Sequence, residues 1–164
     1  FEIMSKDKVD PDEMMFHMNN DLYQTKTAGM FVTSILGEYN LLTDEIRWVN
    51  AGHQPAIIRQ KSGNYSEFNS SSTPLGVIKH KDKSVYKLEK TKLNDGRFYV
   101  FTDGLSESLN DKGEEIGIEG SIKIIENNFN SDLKKQLRDV TTETINTAQN
   151  NSLSDDLTLV AIGK

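Results

Sequence analysis

Apolar residues recur along this chain in two rhythms, one of period about three and a half and one of period two. Met14, Met15, Met18 and Leu22 fall at helical spacing and predict a helix over residues 11–24. Asp10 stands at its cap, Pro11 at a first position where a missing N–H costs nothing, and Glu13 completes the start. The methionines read as core filler, and the face they form covers one side of a sheet. A β-rich block follows. Residues 30–38 and 45–50 predict two strands joined by a turn through 41–44, and residues 56–60 pair with 65–68 across Lys61-Ser62-Gly63-Asn64. Val85-Tyr86-Lys87-Leu88 alternates as an edge strand would. The β-branched and aromatic run from Arg97 to Phe101 is predicted to be entered from a hairpin through Asn94-Asp95-Gly96, and it breaks off at Asp103-Gly104.

Beyond that break the pattern turns helical. A helical turn is expected over 105–109 and a short helix over 121–127, with Ile118, Ile122 and Ile125 on one face. A longer helix shows Leu133, Leu137, Val140, Ile145 and Ala148 on one face, with Ser131 and Asp132 as caps. The two are expected to pack on the outer face of a sheet, opposite the face covered by the first helix. Leu157 to Ile162 is apolar throughout and predicts a closing strand that is central or buried on both faces. Helix, antiparallel strands, two helices and a strand make an α+β arrangement.

Composition narrows this picture. At 164 residues the chain suits one domain with a real core. Nineteen basic against 25 acidic residues give a net charge of −6, with no basic stripe to neutralise phosphates, so nucleic acid is not the expected partner. Without cysteine, disulfides and thiolate metal sites are excluded. No apolar run is long enough to span a bilayer, and Phe1 to Lys6 is too short and too acidic for a signal peptide, so a cytoplasmic domain without membrane insertion is the expectation.

Two acidic stretches carry the candidate chemistry. Asp103 stands at the mouth of a strand, and Gly104 after it lets backbone or ligand approach closely. The competing reading is that Asp103 caps the following helical turn. Asp155-Asp156 likewise precedes a strand. Adjacent acids repel unless something positive sits beside them, and carboxylates without thiolates suit hard cations such as Mg²⁺ or Mn²⁺. The alternative is a solvated loop. His53, in the corner Asn50-Ala51-Gly52-His53, is either a proton donor to a leaving group or a brace for the turn. The serine-rich loop 69–73 shows no nucleophile, because no His-Asp pair accompanies it at a recognisable spacing. Lys79 to Lys83 reads as a solvated loop tip.

Taken together in order, Met30-Phe31-Val32-Thr33, Asn50-Ala51-Gly52-His53-Gln54-Pro55, Thr73-Pro74-Leu75-Gly76-Val77, Phe101-Thr102-Asp103-Gly104 and Asp155-Asp156-Leu157-Thr158 resemble the metal-dependent type 2C (PPM) protein serine/threonine phosphatases. The likeness is closest to their bacterial SpoIIE/RsbU-like branch and covers nearly the whole chain. The first helix carries that family's Asn-x-x-Leu pattern as Asn19-Asn20-Asp21-Leu22. The resemblance implies a four-layer α-β-β-α sandwich of two mostly antiparallel sheets. It implies two Mn²⁺ or Mg²⁺ ions that activate a water to hydrolyse a phosphoserine or phosphothreonine in one step. Asp103 matches one metal ligand, with Gly104 counted in the same motif; Asp155 matches another, with Asp156 as its alternate. The partner implied is a phosphorylated regulatory protein of the anti-anti-sigma type, under control of an upstream sensor or receiver domain.

One departure shapes the expectation. The family's bridging aspartate lies in a Gly-Asp-x-x-Gly-His-Gly segment, and the early acids here, Glu2, Asp7, Asp10, Asp12 and Glu13, are none of them followed by glycine. Residues 1–164 are therefore expected to be one phosphatase domain lacking its N-terminal portion, inactive or nearly so, and dimeric or aggregation-prone through unpaired strand edges. The other reading is a non-catalytic pseudophosphatase that docks a regulatory partner.

Overall fold

The computed structural model describes residues 9–25 and 29–163, which form two compact units. The early acids Glu2 and Asp7 lie outside the described residues. One unit holds the chain up to Pro55 together with Phe68–Asn94, and the other holds Ala56–Glu67 together with the chain from Asp95 onward.

In the first unit a helix, α1 (Pro11–Thr25), lies on a three-stranded antiparallel sheet of β1 (Ser34–Asn40), β2 (Glu45–Ala51) and β5 (Glu89–Lys92), in the order β1-β2-β5. β1 and β2 run in register from Ser34↔Ala51 to Asn40↔Glu45, so the predicted hairpin is present. Its turn closes on Asn40, whose Oδ1 accepts from the backbone N–H groups of Leu42 and Thr43. Buried Met15 packs with Val49, Ala51, Leu75 and Tyr86, the core that the methionine spacing anticipated. Asn19 is fully buried, donating to the Ile78 carbonyl (3.0 Å) and accepting from the Gly76 N–H (2.9 Å). Asn20 bonds both backbone groups of His80. These two amides fasten the 76–80 loop along the helix.

Two expectations fail in this unit. The first strand begins at Ser34, because the chain at Val32 bridges to Leu75 instead of to β2, leaving Met30 and Phe31 exposed. Residues 85–88 are not a strand: Asp82 caps a 3-10 turn, Lys83–Val85, by accepting from the Ser84 N–H (2.7 Å). The strand is Glu89–Lys92 instead, paired with β2 from Glu45↔Lys92 to Trp48↔Glu89. Its Glu-Lys-Thr-Lys sequence hides it from a search for apolar alternation, since an edge strand keeps alternate side chains in water.

The second unit is built on a four-stranded antiparallel sheet of β3 (Ala56–Arg59), β4 (Tyr65–Phe68), β6 (Arg97–Phe101) and β7 (Leu159–Gly163), in the order β4-β3-β6-β7. Three helices accompany it: α2 (Asp103–Ser106), α3 (Gly117–Asn127) and α4 (Leu133–Thr147). Ile57, Tyr99, Phe101, Leu105, Ile124, Ile125 and Val140 form the core between sheet and helices. The helix pair thus covers one sheet and α1 covers the other, not the opposite face of the same one. Asp132 caps α4 as predicted, accepting from the N–H groups of Lys134 and Lys135.

Here too the sequence misleads at particular places. Asn94 and Asp95 both adopt positive φ (49° and 61°), but the turn they make joins β5 of one sheet to β6 of the other, so no hairpin forms. β7 is an edge strand among the described residues, with Val160 43% exposed, because an apolar run does not itself require cover on both faces. The buried stripe of α4 is Gln136, Val140 and Thr144, one position round from the leucines. Gln136 is buried because Arg97 is: the guanidinium of this 1% exposed residue donates to the Gln136 side chain and to the carbonyls of Asn130 and Ser131.

A second polar cluster makes stability pH-dependent. Arg59 Nε donates to Glu126 Oε2 (3.0 Å), and the Tyr65 hydroxyl donates to the same carboxylate. The Arg59 hydrogen bond holds the Glu126 carboxyl below its usual range, helped by Tyr65 and opposed by burial. A lowered folded value means stability that is complete above the unfolded pKa, roughly 4.3, and lost as pH falls through the folded one. Urea melts across the acidic range are expected to show Glu126→Gln with a shallower acid loss than the parent. Identical acid limbs would remove this cluster from the account.

Candidate active site

β6 runs out at Phe101, and Thr102 remains extended (φ −78°, ψ 163°) at the N-cap of α2. Asp103 is the first residue of that one-turn helix, held from below by buried Leu105 and Ser106. Its carboxylate is exposed and accepts no hydrogen bond among the described residues. The cap position therefore belongs to Thr102, and Asp103 does not cap the turn.

Asp155 and Asp156 arrive from the other side, in the loop before β7. Both are exposed, and Asp155 Oδ1 accepts from the Asp156 N–H (2.7 Å). The two segments meet through their backbones. Thr102 N–H donates to the Thr158 carbonyl (3.0 Å), and a Cβ built on Gly104 would lie 2.5 Å from the Asp156 carbonyl oxygen and 2.9 Å from that of Asp155. Such separations are impossible for a side chain, so glycine is required here by close approach rather than by φ. Asp103-Gly104 and Asp155-Asp156, far apart in the chain, are thereby neighbours.

As a donor set for a metal, these residues fit in kind: carboxylate oxygens without thiolates suit Mg²⁺ or Mn²⁺. They fit only in part by number, since no group of three or more His, Cys, Asp or Glu is gathered for a metal among the described residues. The early acids that are described are engaged elsewhere: Asp10 with Arg47 (3.1 Å), and Asp12 and Glu13 with Lys83 (3.2 and 3.3 Å).

His53 belongs to the first unit, where hydrogen bonds tie it to Asn50 and Thr33. Its N–H donates to Asn50 Oδ1 (2.9 Å), its Nδ1 shares a hydrogen bond with the Thr33 hydroxyl (3.0 Å), and Asn50 Nδ2 donates to the Gln54 carbonyl (3.0 Å). The serine-rich loop closes the same corner, with the Ser70 and Ser72 hydroxyls both donating to the Asn50 carbonyl at 3.1 Å. Gly52, at φ 68°, sits against Pro74 where a Cβ would clash at 2.4 Å. Thr102 is the residue that sequence reasoning passed over; the signal was a hydroxyl at the last position before an acid at a strand end.

The family model of Stage II sporulation protein E (SpoIIE) matches residues 1–164. Phosphoserine phosphatase RsbU of Bacillus subtilis (strain 168) is 25% identical over 158 residues, covering 94% of this chain and 45% of that protein. Phosphoserine phosphatase RsbP of the same organism is 29% identical over 93 residues, 57% of this chain and 23% of that protein. The chain thus spans less than half the length of either relative. Among solved structures, the PP2C phosphatase domain with a regulatory-domain fragment of SpoIIE from Bacillus subtilis superposes with a TM-score of 0.81 at 18% identity, over 99% of this chain and 47% of that one. The SiaA-PP2C domain of Pseudomonas aeruginosa gives 0.79 at 14% identity, over 94% and 61%. These likenesses show a shared α+β fold. No helix among the described residues is long and apolar enough to cross a membrane.

Proposed function

The chain belongs to the SpoIIE family, and from that premise we propose that it is the larger part of a metal-dependent phosphatase domain that removes phosphate from a phosphoserine or phosphothreonine of a regulatory protein. The observation that carries the reading is the meeting of Asp103-Gly104 with Asp155-Asp156 just beyond the last pair of the β6–β7 ladder, which brings acids from distant parts of the chain to one sheet end. Asp103 and Asp155 would hold the metal, with Asp156 as the alternate to Asp155. Divalent ions bound there supply acidity to water and charge stabilisation to the phosphoryl group. The chain's own contribution is to bring Asp103, just past the end of β6, and the Asp155-Asp156 loop together through backbone contacts. The donors still needed come, in this reading, from residues upstream of Phe1, so residues 1–164 are one domain without its N-terminal portion.

The relatives named phosphoserine phosphatases support the reaction. One similar solved structure joins the RsbU and RsbW domains of Rv1364c from Mycobacterium tuberculosis, which supports a place in signalling between regulatory proteins. A small anti-anti-sigma-type substrate, and an upstream sensor or receiver domain, fit that setting. The test is phosphate release from a phosphoserine protein by the full-length protein. Release that requires Mn²⁺ or Mg²⁺ and stops with chelator is expected; binding of the phosphoprotein without release under any metal would make it a docking module instead.

A further inference from the structure

We propose that Thr102 is the positioning residue that sets the separation of the Asp103 and Asp155-Asp156 carboxylates. Thr102 occupies the N-cap of α2 in the extended conformation from which a threonine hydroxyl ordinarily accepts from an N–H of the first helical turn. Its hydroxyl makes no such bond. It is turned instead across to the other segment, donating to the Asp156 carbonyl (2.9 Å) and accepting from the Thr158 N–H (2.9 Å). The Thr102 N–H donates to the Thr158 carbonyl as well (3.0 Å). One residue therefore grips the acidic loop at three points, immediately before the acid on its own strand.

The position of the grip matters. The Asp156 carbonyl that Thr102 holds is the same oxygen that lies closest to the missing Cβ of Gly104. The glycine permits the approach and the threonine fixes it. β6 and β7 already pair from Arg97↔Gly163 to Phe101↔Leu159 without help, so sheet formation does not need the hydroxyl. Beyond the last ladder pair, where the acids lie, the hydroxyl adds two bonds to the single backbone bond from Thr102 to Thr158.

This assignment rests on reading those acids as metal ligands, and the experiment separates the two claims. Mn²⁺ binding to the full-length protein is titrated by the loss of the free-ion paramagnetic resonance signal, for the parent and for Thr102→Val, Thr102→Ser and Asp103→Asn. Thr102→Val keeps the shape and loses the hydroxyl, and is expected to weaken Mn²⁺ binding roughly ten- to hundredfold, the range for residues that orient metal ligands. Thr102→Ser, which restores the hydroxyl, is expected to return most of that affinity. Thr102→Val that melts earlier yet binds Mn²⁺ like the parent would overturn the proposal and leave the metal reading intact. Parent and Asp103→Asn with the same Mn²⁺ affinity would instead sink the metal reading, and this proposal with it. A readout without any Thr102 variant is amide exchange at Thr158, whose N–H rests on the hydroxyl: it is expected to slow when Mn²⁺ is added, and exchange indifferent to Mn²⁺ also overturns the proposal.

Discussion

Asp103→Asn is expected to remove metal-dependent phosphate release from the full-length protein, by at least about a hundredfold, while leaving its melting temperature unchanged or slightly higher. Loss of a ligand should cost no less than loss of a group that merely orients one, for which ten- to hundredfold is usual. The structural side follows from what Asp103 touches. Its side chain is exposed and accepts no hydrogen bond among the described residues, so the isosteric amide breaks no contact. It is joined to the segment of Asp155 and Asp156 through backbone contacts at Gly104, so whatever like-charge repulsion acts between the segments is relieved by the amide when no cation is bound. A small opposing effect comes from losing a negative charge in the first turn of α2. Calorimetry and a phosphate-release assay on the same sample check both halves. A variant that unfolds would make Asp103 a structural residue, and one with near-parental turnover would take it out of the chemistry.

The largest stability loss is expected from Arg97→Leu, about 3–5 kcal/mol in urea melts. Arg97 is 1% exposed, and its guanidinium serves the Gln136 side chain and the carbonyls of Asn130 and Ser131, at the start of α4. It also lies 4.7 Å from the centre of the Phe129 ring. Leucine would remove the Arg97 donor from the Asn130 and Ser131 carbonyls and leave Gln136 Oε1 with the weaker bond from Tyr99, each loss costing on the order of 1 kcal/mol or more. Gln136 is itself shared with the Tyr99 hydroxyl and the Ile125 carbonyl, so the loss spreads into the core. Arg97→Lys should recover only part, because a single ammonium does not reproduce the fork. A leucine variant within about 1 kcal/mol of the parent would mean that water takes over these bonds.

Arg97 also shows where sequence reading stops. The run from Arg97 to Phe101 was legible as a strand, yet nothing in it tells a buried arginine from an exposed one. The answer lies at Gln136, 39 positions on, in a helix whose apolar pattern correctly pointed to Val140 and Ala148 but not to the buried glutamine beside them. Periodicity finds apolar faces, and a polar face is buried only when its partners are already in place. β5 was missed for the opposite reason, since its lysines are outward-facing and its pairing with β2 is a backbone matter. The acids of the candidate site were legible because strand ends followed by Asp-Gly or Asp-Asp are local signals. That they meet depends on Gly104 and on a carbonyl more than fifty residues later, a tertiary fact that composition cannot carry.

The passage of the chain between the two units has a consequence for how the protein is made. It leaves the first unit after Pro55, returns to it at Phe68 and leaves again after Asn94. On a ribosome, β3 and β4 therefore emerge as an isolated pair of four-residue strands, too little to persist in water. Their partner β6 follows only after residues 68–94 have been synthesised, as the register Ile57↔Tyr99 requires. Until then the hairpin is an orphan, and it is exposed to capture by other nascent chains. Closing that sheet late, over a long loop, makes for slow folding by the usual dependence on contact distance. The last pairing of this sheet to form is that of β6 with β7, so the ends that bring Asp103 and Asp155 together are assembled only once residues 159–163 have been made.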